Sequence, residues 1–196
     1  MTSKEYILQR VKQNKPEQTL LPDVPDFERL DVDWVEHFKE TLVFVGGQAI
    51  ELESDVEVNL RIQELFPDMK VIASDIPSVE VANFDLNGTT DPHLLKDIDL
   101  IVIRGEFGVA ENAAVWVPAS SLSHRVLPFI TQHAVIVLDK SQLVWNMHQA
   151  YKRLDIDKAN GFGVFISGPS KTADIEQSLV IGAHGSRSLV VFLVNK

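Results

Sequence analysis

The 196 residues contain no cysteine. That excludes a disulfide framework, a thiol nucleophile, and any iron–sulfur cluster or zinc held by cysteines of this chain. Long apolar runs are also missing. The longest, Leu42 to Val45, Leu100 to Ile103 and Leu189 to Val194, fall far short of the roughly 20 residues that span a bilayer. The first fifteen residues, MTSKEYILQRVKQNK, lack the apolar core of a secretory signal, so a cytoplasmic location is expected. Positive charge is scarce too: 18 basic residues against 28 acidic ones give a net charge of −10. With no local Lys/Arg cluster to offset it, nucleic acid and anionic membrane are not expected as main partners. A single small anion in a local site stays compatible with that balance.

What is present is a large apolar fraction, 45%, enough for a core without covalent staples. Residues 1–32 read as a short amphipathic helix, with Tyr6, Ile7, Leu8 and Val11 among charges, and then an acidic arm carrying Pro16, Pro22 and Pro25. Either a loosely docked terminal helix or a dimerisation arm fits this stretch, and a homodimer is one arrangement it leaves open.

Residues 33–196 form the second segment, where helices and strands alternate. Asp33 is placed to cap the helix WVEHFKE, and LVFVGG follows as an apolar strand closed by two glycines. Ser54 or Asp55 opens the helix VEVNLRIQELF, and Pro67 ends it before the strand KVIAS. Asp91 and Pro92 start a short helix through Lys96; DLIVIR, AAVWV and HAVIVLD are strands; a helix runs from Ser141 to about Leu154; GVFIS and SLVVFLV are strands. Continuous β-branched runs without strict alternation indicate strands covered on both faces. The expected fold is α/β, three layers with a mostly parallel sheet between helices. Ligands in such folds gather at carboxyl ends of strands, which selects Gly46 and Gly47, then Arg104 to Asn112, then Gly168 to Thr172.

The turn VGGQAI lacks a dinucleotide or phosphate fingerprint and is followed by Glu51, Glu53 and Asp55, so it reads as a plain strand-to-helix turn. In IVIRGEFGVAENAAVWV, Arg104 closes one strand while Glu111 and Asn112 precede the next, and Gly105 and Gly108 let the loop approach a ligand. Arg104 can grip a carboxylate through paired hydrogen bonds and Glu111 can act as catalytic base or nucleophile. Equally, Arg104 can simply pair with Glu106 or Glu111. In GPSKTADIEQSLVIGAHGSR, Gly168 and Pro169 end a strand, Ser170 or Thr172 caps a helix starting at Ala173, and Asp174 and Glu176 suit its first turns. Lys171 is unfavourable there unless an anion sits nearby. His184, between Gly182 and Gly185, either reaches that anion or bonds to backbone. The expected ligand is a small carboxylate or a phosphorylated compound, and Arg104, Glu111 and Ser170 are expected to share one cleft. The six histidines show no close metal-binding spacing.

In order along the chain, GVAENAAVWV, HRVLPFITQHAVIVLDKSQLV and GPSKTADIEQSLVIGAHGSRSLVVFLV resemble the successive signatures of the LUD-domain family, that of lactate-utilisation protein C. The resemblance runs from about Leu42 to the C-terminus. It implies an α/β/α fold similar to the group of ribose-5-phosphate isomerase, glucosamine-6-phosphate deaminase and CoA transferases. It also implies a part in oxidising L-lactate to pyruvate, with no cofactor in this chain and iron–sulfur clusters only on partner oxidoreductase subunits. The chain departs from the family pattern at Asn112, Ala113 and Ser186. The competing class is a self-sufficient CoA- or acyl-transferase-like enzyme on the same fold, with Glu111 as nucleophile.

Overall fold

A computed structural model describes residues 2–17, 19–20, 22–23, 25, 27, 31–154, 161–175 and 178–195. The chain divides into two units, Met1–Leu30 and Asp31–Lys196. In the first, helix α1 (Ser3–Gln13) begins in a capping box: the Thr2 hydroxyl accepts from the Glu5 amide, and the Glu5 carboxylate accepts from the Thr2 amide. None of its residues is buried.

In the second unit, helix α2 (Trp34–Phe44) starts where Asp33 accepts hydrogen bonds from the amides of Val35 and Glu36. Asp33→Ala removes this cap and is expected to lower stability by about 1 kcal/mol in chemical denaturation. The expected strand at Leu42–Val45 is instead the last turn of α2. Phe38 and Leu42, one helical turn apart, both point into the core, and Gly46, at φ +88°, ends the helix. The strand that follows is β1 (Gln48–Leu52), so Gly46 and Gly47 lie before a strand rather than after one.

Helix α3 (Glu57–Leu65) has Val56 at its cap and no side-chain capping bond; Asp55 Oδ2 instead accepts from Arg104. After β2 (Ile72–Ser74), a 3₁₀ turn at Pro92–Asp97 is opened by Asp91 as expected. It leads to β3 (Leu100–Arg104) and then β4 (Phe107–Val109), a short strand within what reads from sequence as loop. Next come β5 (Ala114–Pro118), helix α4 (Leu127–Ile130) and β6 (His133–Asp139). The expected helix from Ser141 is broken into a 3₁₀ turn (Lys140–Gln142), β7 (Leu143–Val144) and α5 (Met147–Arg153). Asn146 caps α5 by accepting from the Gln149 amide at 3.0 Å, which restarts the helix there.

The chain continues through β8 (Gly163–Ile166), β9 (Lys171–Ile175), β10 (Ser178–Ile181) and β11 (Ser188–Val194). The helix expected from Ala173 is therefore an antiparallel hairpin, with Lys171 opposite Ile181 and Thr172 opposite Val180. The Ser170 amide and carbonyl, which would have served a helix start, bond to the Ser186 carbonyl and the Gly182 amide and close the hairpin's base. Thr172 and Lys171 thus sit in a strand. The side chain of Asp174, and Glu176 entirely, lie outside the described residues.

The fold is α/β, with a mostly parallel central sheet. Five strands in the order β1-β11-β6-β3-β2 all run parallel. Successive residues of β3 explain why its sequence does not alternate in polarity: Leu100 and Val102 pack with Val58 and Ile62 of α3 on one face. Ile101 and Ile103 pack with Phe38 and Leu42 of α2 and Leu127 of α4 on the other. That second face also carries a second sheet, β7-β4-β5-β8, with antiparallel β4/β5 and β5/β8 pairs. Val115 and Val117 of β5 face the central sheet, while Ala114 and Trp116 face Ala150 of α5. Gly105 and Gly108 serve this stacking rather than a ligand. A Cβ on Gly105 would stand 2.3 Å from Val115 Cγ1, and one on Gly108 2.7 Å from Leu143 Cδ2.

Candidate functional site

The topology separates residues that the sequence places in one site. β3 ends at Arg104, on the carboxyl edge of the central sheet. β4 runs back across the second sheet, so Glu111 and Asn112, between Val109 and Ala114, reach the opposite, amino edge. Ser170 is at that amino edge too, bonded to Ser186 just ahead of β11. Five residues of β3, at about 3.3 Å each, set Arg104 roughly 15 Å away. The shared cleft of Arg104, Glu111 and Ser170 does not exist.

At the carboxyl edge, Arg104 donates from Nη2 to Asp55 Oδ2 at 2.6 Å, with both side chains about one-third exposed, 30% and 33%. Neither Glu106 nor Glu111 is its partner. Two adjoining clefts, of about 520 and 680 Å³, share Arg104, Ser120 and Ser121. Glu106 and Asp139 line the first and Asp75 the second. Asp75 Oδ1 accepts from the Ser123 amide at 3.2 Å and from its hydroxyl. A ligand carboxylate reaching Arg104 would meet a guanidinium already paired and further carboxylates around it, so these clefts do not favour a small anion.

The amino edge holds a smaller pocket, about 240 Å³, between the central sheet, β8 and α4. Ala134 and Leu189, which are neighbours across β6 and β11, form a buried floor; Val164, Ile166 and Phe129 form the walls. Ser167 and His184 stand exposed at its rim, with Ser170 half-buried beside Gly185. Gly185 is required here, since a Cβ would come within 3.0 Å of Ser170 Cβ. Gly168, at φ +74°, packs under Val45, where a Cβ would sit 2.6 Å from the Val45 carbonyl oxygen. Ser186 is buried, its hydroxyl 3.4 Å from that of Thr131. Among the described lining residues none is Asp, Glu, Lys or Arg. An apolar pocket with a few convergent polar groups is the usual form of a small-ligand site.

The remaining sequence candidates lie around this pocket or outside it. Asn112 caps its own turn, with Oδ1 accepting from the Ala114 amide at 3.1 Å, and its carbonyl accepts from the Ser167 hydroxyl at 2.6 Å. Between them Ala113 adopts φ +53°, a left-handed conformation that costs an alanine about 1 kcal/mol or more. Glu111 Oε2 accepts from the Met147 amide at 3.0 Å, at the start of α5, where its charge suits the helix dipole. It lines none of these three cavities. Lys171 is exposed on the hairpin, and neither it nor Thr172 contributes to the pocket wall.

His133, at the start of β6, has its ring nitrogen 2.7 Å from the Ser188 hydroxyl. Burial, reinforced by the Arg187 charge, holds its pKa below the ordinary 6.5, against a smaller opposing pull from Asp99. The folded state therefore favours the neutral ring. Stability is full above about pH 6.5 and falls as pH drops from there through the lower folded-state value. Thermal unfolding between pH 7.5 and 5 should show that loss in the wild type and a smaller one in His133→Asn.

The family model of the LUD domain matches residues 93–194, just over half the chain. The chain belongs to the LUD domain family. Both edges described above fall largely within the matched region of the LUD domain. Among proteins similar to this chain is lactate utilization protein C of Bacillus pumilus, 32% identical over 99 residues, covering 48% of this chain and 41% of that protein. The chain thus spans about two-fifths of that relative's length. The lactate utilization protein C of an Exiguobacterium species is 26% identical over 227 residues, covering 100% of this chain and 97% of that protein. A crystal structure of a DUF162 family protein from Deinococcus radiodurans superposes with a TM-score of 0.62 at 13% identity, covering 83% of this chain and 96% of that one. At that identity the likeness speaks to the fold alone.

Among the described residues, no helix is long and apolar enough to cross a membrane. No three His, Asp or Glu side chains among them come together in a way that would hold a metal ion.

Proposed function

We propose that this LUD-domain chain is a non-redox, carboxylate-binding subunit of a cytoplasmic lactate-utilisation system. In this reading it works beside partner subunits that carry the iron–sulfur clusters, and the amino-edge pocket holds the carboxylate. The observation that carries the reading is that Ser170, His184 and Gly185, from the segment most specific to the family resemblance, converge on a pocket whose lining holds no carboxylate. The relatives named for lactate utilisation support lactate or pyruvate as the acid, and with no cysteine in these 196 residues the reading puts any cluster on partner chains.

Calorimetric titration with L-lactate and pyruvate tests the reading. His184→Ala and Ser170→Ala are each expected to weaken binding, by about three- to tenfold for a neutral hydrogen bond. Lys171→Ala, exposed and outside the lining, should change it less than either. The wild type failing to bind either acid would end the reading. The partner half is checked by recovering the native complex and measuring its iron.

A further inference from the structure

The amino-edge pocket is larger and more apolar than a three-carbon acid requires. A cavity of about 150 Å³ lined by aliphatic and aromatic side chains accommodates benzene, six carbons with no polar atom. This pocket has about 240 Å³. Lactate also has six heavy atoms, but half of them are oxygen, and only its methyl group would enjoy the apolar floor. Leu189 is 2% exposed and Ala134 3%, while Ser170 and the His184 ring stand at the rim beside Ser167, whose hydroxyl proton goes to the Asn112 carbonyl. A ligand with its carboxylate at the rim thus places its carbon body against Ala134, Leu189, Ile166 and Phe129. A second charged group on that body would find no counter-charge among the lining residues.

From this shape we infer that the pocket selects monocarboxylates with a branched aliphatic or aromatic body, of about four to eight carbons beyond the carboxylate carbon, over lactate itself. The class comprises 2-hydroxy or 2-oxo acids with bulky apolar side chains; dicarboxylates and phosphate esters are excluded. This selectivity rests on the reading that the pocket holds a carboxylate, and it adds what that reading leaves open, the size of the acid. Each further buried methylene carbon is worth about fourfold in affinity.

The test is a calorimetric series on the full chain with L-lactate, 2-hydroxy-4-methylpentanoate, 3-phenyllactate and malate. The six-carbon hydroxy acid, with three more carbons than lactate, is expected to bind roughly fiftyfold tighter than lactate, and malate no tighter than lactate. Ala134→Leu, which fills the floor, should remove most of the gain while lactate binding persists. Val164→Phe serves the same purpose if Ala134→Leu lowers the melting temperature sharply. Equal affinity for lactate and the longer acids, or tighter binding of malate, overturns the size selectivity and leaves the carboxylate reading standing. A chain-length gain that survives a folded, pocket-filled variant overturns it as well, by placing the ligand elsewhere. No binding by any of these acids sinks both.

Discussion

Phe192→Ala is expected to lower the unfolding free energy by about 3–5 kcal/mol. For a chain of this size each kcal/mol shifts the melting temperature by about 2–4 °C, so thermal denaturation should show a fall of roughly ten degrees. Phe192 has no exposed surface and lies in β11, between Ile50 of β1 and Val137 of β6. Its ring packs into the cluster that α3 supplies through Val58 and Ile62. Backbone pairing on both flanks hinders collapse into the space, so most of the cavity cost remains. Phe44, 90% exposed at the end of α2, is the control: its replacement by alanine should change stability by less than about 0.5 kcal/mol.

Gly163→Ala is expected to cost about 1–3 kcal/mol, an overpacking penalty rather than a cavity. A Cβ at Gly163 would lie 2.2 Å from Cη2 and Cζ2 of Trp116. The indole cannot simply withdraw, since it is held against Phe165, with centroids 4.8 Å apart, and stacked with Phe107 at 6.5 Å. The strain falls on β8, whose Val164 and Ile166 line the amino-edge pocket. Ligand affinity should therefore fall together with stability, although Gly163 itself does not line the pocket. Denaturant unfolding followed by tryptophan fluorescence gives the first quantity and calorimetric titration the second.

The central strands are legible in the sequence because burial on both faces leaves unbroken runs, as in Leu100–Ile103 and Leu189–Val194. Leu42–Val45 is the same kind of run, yet it is helical. The deciding contact is Phe38 with Leu42 one turn apart against the sheet, and the run leaves Val43 and Phe44 exposed. Phe107–Val109 is too short to announce itself and becomes a strand only by pairing with Ala114–Trp116 and Leu143–Val144. The hydroxyls and acids after Gly168 imitate a helix cap. What makes them a hairpin is a pairing across ten residues, Lys171 with Ile181, which no local pattern encodes.

The candidate pocket is legible in the sequence at its rim and not at its floor. Gly168, Ser170, His184 and Gly185 come from one stretch, so their proximity follows from a single chain reversal. Ala134, Val164 and Leu189 come from three separate strands and look like ordinary core positions until the two sheets are stacked. The rule that ligands gather at carboxyl ends of strands places Arg104 in the same cleft. The return of the chain through β4 carried Glu111 away from it, and the Asp55 carboxylate occupies the guanidinium instead.

Backbone amide and imidazole chemical shifts during titration with L-lactate or 2-hydroxy-4-methylpentanoate test the location of the carboxylate most directly. Saturable shifts at Ser170, His184, Gly185 and Leu189, with Arg104, Ser120 and Ser121 unmoved, are the expected result. Shifts concentrated at Arg104, Ser120 and Ser121, or none at either edge, would contradict it.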